Sequence, residues 1–465
     1  MQIQFFGAAR TVTGSKHLIQ TNQGIQILLD CGLFQGMGKY TDSLNEDFDF
    51  LPAEIDILLL SHAHIDHCGL LPRLVANGFK GTIYCTAATM DLARILMLDS
   101  AGIQEQDALY LNKHIRPGEP LHEPLYKEED VIQTLGLMKL IEYDEVLQIA
   151  ENVQVRFTDA GHLVGSAAIH LEIEEDGKVY KISFSGDVGR YDDLLLSPPA
   201  VFPPCDYLIM ESTYGNSLHK DIEPFEEAIL EIIQDTCVRR GGKVIIPAFS
   251  VGRTQEVLFA LNNLYNQGKL PDVPVIVDSP LALEATQVLD KHTNLYNAKV
   301  KHILRNDQDI FQFPGLRFVQ HRQESMALNT NPDPMVIISS SGMAEAGRVR
   351  HHIRNNISNA NSTILMVGYC ETHSLAGRLK AGEKQVEIFN EFYNVLAEVR
   401  SISSMSAHGD YQDLMRFVSC QKPDTLKAIY LVHGEYETQQ AFQKHLHEAG
   451  YKNVEIPAFK EIVKI

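Results

Sequence analysis

Residues 61–69 read Ser-His-Ala-His-Ile-Asp-His-Cys-Gly, which puts the imidazoles of His62, His64 and His67 and the carboxylate of Asp66 within six consecutive positions. Neutral imidazole nitrogen and carboxylate oxygen are the ligands that zinc and similar divalent ions take. A lone His in a polar turn would mean little. The spacing H-x-H-x-D-H brings four donors to one short segment, and that suits a metal far better than a solvated loop. Four further residues of metal type stand beside a glycine: Asp30 before Cys31-Gly32, His162 after Gly161, Asp187 after Gly186 and His433 before Gly434. Taken singly, each is more often a turn residue or a helix cap. Small neighbours at all four let backbone and ligand approach closely.

These residues sit where apolar runs end. The run 55–61 precedes the His cluster, 25–30 ends at Asp30, 153–157 leads to His162, 179–185 leads to Asp187 and 428–432 leads to His433. Short apolar runs bounded by polar residues read as buried strands, and a rigid strand end can hold several side chains about one point. Further strands are expected at 82–85, 167–173 and 207–211, with a hairpin turn at Asp176-Gly177. Residues 86–100 read as helix, and 101–150 as a charged, mostly helical insert. From about 215 the texture changes to helices (224–240, 254–266, 282–291, 344–356) alternating with short strands (244–247, 275–277, 336–340, 363–367), a rhythm that predicts a mostly parallel sheet. Strand (398–402), helix (411–418), strand and helix (438–449) close the chain.

The composition sets bounds. A chain of 465 residues, 45% hydrophobic, makes two or three domains with sizeable cores and is not disordered. Seven cysteines without a C-x-x-C pair suggest reduced thiols in a cytoplasmic protein, and none reads as a metal ligand. The start Met1-Gln2-Ile3 has no basic leader, and no run is long enough to span a bilayer, so no membrane partner is expected. The net charge of −20 argues against broad, non-specific duplex binding. A local cationic site stays open, because two divalent ions would dominate one cleft.

The set Asp30, His62-x-His64-x-Asp66-His67, His162 and Asp187 resembles the metallo-β-lactamase superfamily in order and kind. Glu211 in Met-Glu-Ser-Thr-Tyr-Gly, His408 in Ser-Ala-His-Gly-Asp and His433 in Val-His-Gly-Glu resemble the three extra motifs of its β-CASP branch. The segments 247–256, 339–343 and Gly368-Tyr369…Gly377-Arg378 are also typical of that branch. The resemblance spans nearly the whole chain. It points to bacterial and archaeal RNases similar to the endonuclease subunit of the cleavage and polyadenylation machinery.

The resemblance implies an α/β architecture: a four-layer αββα sandwich from residues 1–210 and 396–465, with an inserted β-CASP domain of mostly parallel sheet at 211–395 capping the cleft. It implies two Zn²⁺, with Mn²⁺ as a substitute. One would take His62, His64 and His162, the other Asp66, His67 and His433, with Asp187 bridging and Asp30 orienting a ligand imidazole. It implies hydrolysis of RNA phosphodiesters by two-metal hydroxide attack, with His408, paired to Glu211, protonating the leaving alkoxide. Substrate phosphates would meet Ser250 and Arg253 at one helix start, and Ser340, Ser341 and Gly342 at another, with Arg378 as a further contact. Phe249 and Tyr214 read as core residues rather than stacking platforms.

Single-stranded RNA is the expected partner, and a homodimer is left open. RNA rather than DNA rests on His433, where DNA-processing members of the branch carry an apolar residue. The absence of the C-terminal domain typical of RNase J leans toward an endonuclease. A 5′–3′ exoribonuclease, a thioester or lactone hydrolase on the same metal core, and a non-cutting RNA-binding subunit are the alternatives.

Overall fold

The computed structural model describes residues 1–116, 121–219, 224–368, 370, 373–402 and 406–465; Tyr369 lies outside the described residues. The chain forms two compact units, Met1–Leu218 with His408–Ile465, and His219–Ala407.

The first unit contains two seven-stranded sheets. One runs in the order Ile462–Lys464, Gln2–Phe5, His17–Gln20, Gln26–Leu29, Ile57–Leu59, Thr82–Cys85 and Met138–Leu140. The other runs Val454–Glu455, Ala428–Val432, Tyr207–Glu211, Lys178–Phe184, Ala167–Glu175, Val153–Asp159 and Val146–Ala150. Alternate residues on a strand face one side, and the buried sets Ile3/Phe5, Ile27/Leu29 and Ile57/Leu59 meet Val153/Val155/Phe157, Ile169/Leu171/Ile173 and Tyr430/Val432 in one core cluster. Leu208, Met210, Ile429 and Leu431 point the other way, under Leu414 and Phe417 of the helix Tyr411–Val418 and Phe442 and Leu446 of Tyr436–Glu448. Beside the first sheet, the helix Ala87–Lys113 packs on Glu128–Gly136 and on the strand Met138–Leu140. This is the helix–sheet–sheet–helix sandwich.

Both ends of the chain build this unit. Gln2–Phe5 pairs antiparallel with Ile462–Lys464, and Tyr207–Glu211 pairs parallel with Ala428–Val432. The expected hairpin is present: Lys178 pairs with Glu175 across Asp176-Gly177, whose φ values of 50° and 71° suit the tight primed turn.

The second unit is built on a six-stranded sheet, all parallel, in the order Leu316–Phe318, Val275–Val277, Met335–Ser339, Lys243–Pro247, Thr363–Met366 and Glu398–Ser401. A two-stranded hairpin, Gln385–Ile388 with Glu391–Asn394, is added to it.

Three expectations are corrected. Glu398–Ser401 pairs with Thr363–Met366 in the second unit, so the return to the sandwich falls at His408 rather than 396. An edge strand shows its partner only through the ladder, which composition does not encode. The stretch 101–150 is helix only in part, since the strands Met138–Leu140 and Val146–Ala150 close the two sheets. The helix expected from 344 begins at Val349, because Ala344 at φ 58° and Gly347 at φ 78° hold a turn ahead of it.

Candidate metal centre

The strand Ile57–Leu59 ends in buried Leu60 and Ser61, and the chain then crosses into the one-turn helix Ile65–Cys68. That crossing delivers His62, His64, Asp66 and His67 from the first sheet. His162, Asp187 and His433 arrive from the second, after Val153–Asp159, Lys178–Phe184 and Ala428–Val432. All seven belong to one unit.

They gather in two sets. His64 Nδ1 lies 3.1 Å from both His62 Nε2 and His162 Nε2. Asp187 Oδ2 lies 3.4 Å from His62 Nε2 and 3.5 Å from His162 Nε2. A tetrahedral zinc with bonds of 2.0–2.1 Å has ligand–ligand edges of about 3.3 Å, so these four atoms fit such an ion. In the second set His67 Nε2 and His433 Nε2 are 3.2 Å apart, and His433 Nε2 lies 3.4 Å from Asp66 Oδ2. The other Asp187 oxygen, Oδ1, is 3.3 Å from His67 Nε2, buried, and without a hydrogen bond of its own. One carboxylate thus turns one oxygen to each set. An unsatisfied buried carboxylate oxygen is costly without a cation. Burial would raise the Asp187 pKa, and the imidazoles of His433, His67, His62 and His408 hold it well below the usual range. Burial likewise lowers His62 to about 3, so its ring is neutral and able to ligate.

Asp30, at φ 57° beyond the strand Gln26–Leu29, is fully buried. Its Oδ1 accepts the Ser61 amide at 2.7 Å; its Oδ2 accepts the Ser61 hydroxyl at 2.8 Å and His67 Nδ1 at 2.7 Å. A carboxylate that accepts from Nδ1 leaves the Nε2 lone pair of His67 available to a metal.

Beside the metal sets, Glu211 is fully buried at the end of Tyr207–Glu211. Its Oε1 lies 3.1 Å from His408 Nδ1 and also accepts the Val188 amide at 2.6 Å. His408 Nε2 stands 3.9 Å from Asp187 Oδ2. Burial would lower the His408 pKa, but Glu211 and Asp187 outweigh it and raise it to about 9. The imidazole therefore carries its proton at neutral pH, next to the ligand cluster.

Two hydroxyls here had no assigned role in the sequence. Ser61 Oγ lies 3.1 Å from His62 Nδ1, and Thr213 Oγ1 lies 3.0 Å from His433 Nδ1. Each is next to, or two residues from, a motif residue; hydroxyls so placed were the available signal.

The phosphate candidates lie in the other unit. Ser250 Oγ is 2.6 Å from Ser340 Oγ, and Ser279, not foreseen, joins them at 3.3 and 2.8 Å. Arg253 starts the helix Arg253–Asn266 as expected, but it is buried and paired with Glu256. Ser341 and Gly342 precede the turn at Ala344 rather than a helix, and Gly342 lies against the Phe249 ring. Arg378 pairs with Glu383 at 2.9 Å. Phe249 is 41% exposed, so the core role expected for it is wrong; Tyr214 is half-buried with its ring 6.2 Å from that of His408.

A fold of two sheets between helices, with ligand clusters at the strand ends of one side, defines a metallo-hydrolase of the metallo-β-lactamase class. The match to the "Metallo-beta-lactamase superfamily domain" covers residues 18–187, "Beta-Casp domain" covers 254–379, and "Zn-dependent metallo-hydrolase RNA specificity domain" covers 393–457. The chain is 34% identical to "Ribonuclease TTHA0252" of Thermus thermophilus over 100% of both chains. It is 33% identical to "RNase J-like protein" of Methanocaldococcus jannaschii over 98% of this chain and 97% of that one. It is 30% identical to "Transcription termination factor FttA" of Methanosarcina mazei over 94% of this chain and 67% of that one. The chain belongs to the β-CASP family of the metallo-β-lactamase superfamily. Among the described residues no helix is long and apolar enough to cross a membrane.

Proposed function

We propose that the protein is a metal-dependent ribonuclease that hydrolyses phosphodiester bonds of single-stranded RNA internally. One observation supports the reading: Asp187 turns one oxygen toward each of two clusters of ligand-type side chains, with the Glu211–His408 pair beside them, in a chain similar along its whole length to a ribonuclease. Zinc is the proposed metal for both sets, and manganese would suit the same N/O donors. Two such ions would lower the pKa of a water for attack at neutral pH and set positive charge against the phosphate. His62, His64 and His162 would hold one and Asp66, His67 and His433 the other, with Asp187 facing both.

The chain's own groups do the rest. His408 presents an Nε2 proton, because the Glu211 carboxylate accepts from Nδ1 and holds the ring in that orientation. That proton goes to the departing ribose oxygen, leaving 5′-phosphate and 3′-hydroxyl ends. Burial of Glu211 and its bond from the Val188 amide fix the direction in which His408 donates. A thioester or lactone hydrolase would use the same ions, but it gives no part to the matched RNA-specificity segment 393–457. The seven cysteines, all free thiols, fit a reducing compartment such as the cytoplasm.

The test is a 5′-labelled single-stranded RNA with product ends mapped. Internal cuts are expected, whereas stepwise shortening from the 5′ end would show an exonuclease. His408→Ala should slow cleavage by about 10²–10⁴ with both metals retained by elemental analysis. Asp187→Ala should lose metal as well as activity; full metal content in that variant would refute the shared carboxylate.

A further inference from the structure

Several arginines of the second unit are neutralised: Arg348 by Asp278, Arg253 by Glu256, Arg378 by Glu383, Arg240 by Asp235 and Glu398. Arg305, Arg317, Arg322, Arg350 and Arg354 are not, and of these Arg350 and Arg354 are set apart by lying over one aromatic ring. Both lie on the helix Val349–Asn356, and among the described residues neither forms an ion pair. In a chain of net charge −20, two unneutralised guanidiniums one helical turn apart call for a counter-charge from outside.

What holds them is an aromatic ring. Phe389 projects from the turn between Gln385–Ile388 and Glu391–Asn394 and is 36% exposed. The Arg350 guanidinium carbon lies 4.4 Å from the ring centroid, and that of Arg354 5.7 Å. The exposed ring of His351 stacks on Phe389 at 4.6 Å and 28°. Ile388 pairs with Glu391, so Phe389 and Asn390 form a two-residue turn, both left-handed at φ 56° and 63°. Asn-Gly is the usual choice there, and a large ring at positive φ is uncommon. The turn takes the less comfortable residue and gains a ring against the helix; such outliers cluster at functional positions. Burial, and then Arg354, His352, Arg322 and Arg350, lower the His351 pKa, so its ring is a neutral aromatic surface amid cations. The nearby carboxylate Glu391 already accepts the Tyr393 hydroxyl.

We propose that Arg350, His351 and Arg354, gathered on Phe389, form a docking patch for single-stranded RNA, with the arginines on backbone phosphates and His351 under a base. A guanidinium lying on a ring directs its N–H groups outward in the ring-parallel plane, where the terminal ones can meet a phosphate, although Arg350 Nε itself is buried. An exposed ring already stacked on one side offers its other face to a base, as single-strand binders do. The inference rests on the ribonuclease reading and gives that substrate a foothold on the second unit.

The test uses the full-length, metal-loaded protein with His408→Ala, so that RNA survives the measurement. Affinity for a 30-nucleotide RNA is followed against salt. Adding Arg350→Gln with Arg354→Gln should flatten the slope of log K against log[salt] by about 1.4, from two phosphates at about 0.7 each. Arg350→Lys with Arg354→Lys keeps both charges and should keep the slope. With His408 intact, the double Gln variant should raise KM and leave kcat unchanged. An unaltered slope in a folded double Gln variant overturns the patch, and so does a change of oligomeric mass with the slope intact, which would mark a self-association surface. A parent protein with intact metals that neither binds nor cuts RNA overturns the ribonuclease reading instead.

Discussion

A hydroxyl has one proton, and that settles how two of the ligand imidazoles face. Ser61 gives its proton to the Asp30 carboxylate at 2.8 Å, so it can only accept from His62 Nδ1. Thr213 Oγ1 donates to the His433 carbonyl at 3.1 Å, so it too accepts from Nδ1. Both rings therefore keep an Nε2 lone pair free for an ion, one in each cluster. Outer partners of this kind are worth about 10–100-fold in metal affinity. Thr213→Val should lose that much at the Asp66/His67/His433 set alone, by chelator competition, and Thr213→Ser should restore it. Equal weakening of both sets would show general loosening rather than an oriented ring. His408 offers a second check. Its pKa rises from 6.5 to about 9 in the metal-free fold, so its protonation stabilises the fold fully below pH 6.5. That stabilisation fades as pH climbs through about 9. NMR of metal-free protein should show this ring titrating near 9, and Glu211→Gln should move it down. A ring unmoved by Glu211→Gln would remove Glu211 as the source of the charge.

Strand ends place the chemistry, and glycines let them approach. A Cβ on Gly32 would sit 1.6 Å from the Asp66 carbonyl oxygen, and one on Gly189 1.7 Å from that of Gly161, the residue before His162. Gly32→Ala must push the Asp66–His67 turn away from Asp30. We expect a loss of about 1–3 kcal/mol by thermal or denaturant unfolding, together with metal from the second set. Gly102, inside the helix Ala87–Lys113, has open space about it, and Gly102→Ala should add up to about 1 kcal/mol. If the two variants matched, crowding at the site would not be what selects glycine at 32. The positions of Asp30, His62, His162, Asp187 and His433 were legible in the sequence because each follows a short apolar run, and a buried strand of that kind has a clear end. The start of the helix Val349–Asn356 was not, since left-handed Ala344 is invisible in an otherwise helical composition. Nor was the buried pairing of Arg253 with Glu256, which depends on how the helix packs. The Phe389 patch joins segments some forty residues apart, and only the hairpin register brings them together.

The sandwich is closed by the chain's two ends, and its ligand sets cross from sheet to sheet. His62, His64, Asp66 and His67 come from one sheet; His162, Asp187 and His433 come from the other. Ions held there therefore tie the two sheets at the strand ends, in addition to the apolar core between them. A ligand that binds only the folded state stabilises it by RT ln(1 + [L]/Kd), about 2.7 kcal/mol at a hundredfold excess over Kd. Removing the ions also leaves Asp187 Oδ1 buried without a hydrogen bond. The second unit has its own six-stranded core and none of these ligands. Chelation should therefore act on one unit and spare the other. By hydrogen exchange, amides in Ile57–Leu59, Lys178–Phe184 and Ala428–Val432 should lose protection when metal is stripped, while Lys243–Pro247 and Met335–Ser339 keep theirs. Equal loss in both sets of strands would mean that the units unfold as one, and that the ions stabilise the whole chain rather than the sandwich that holds them.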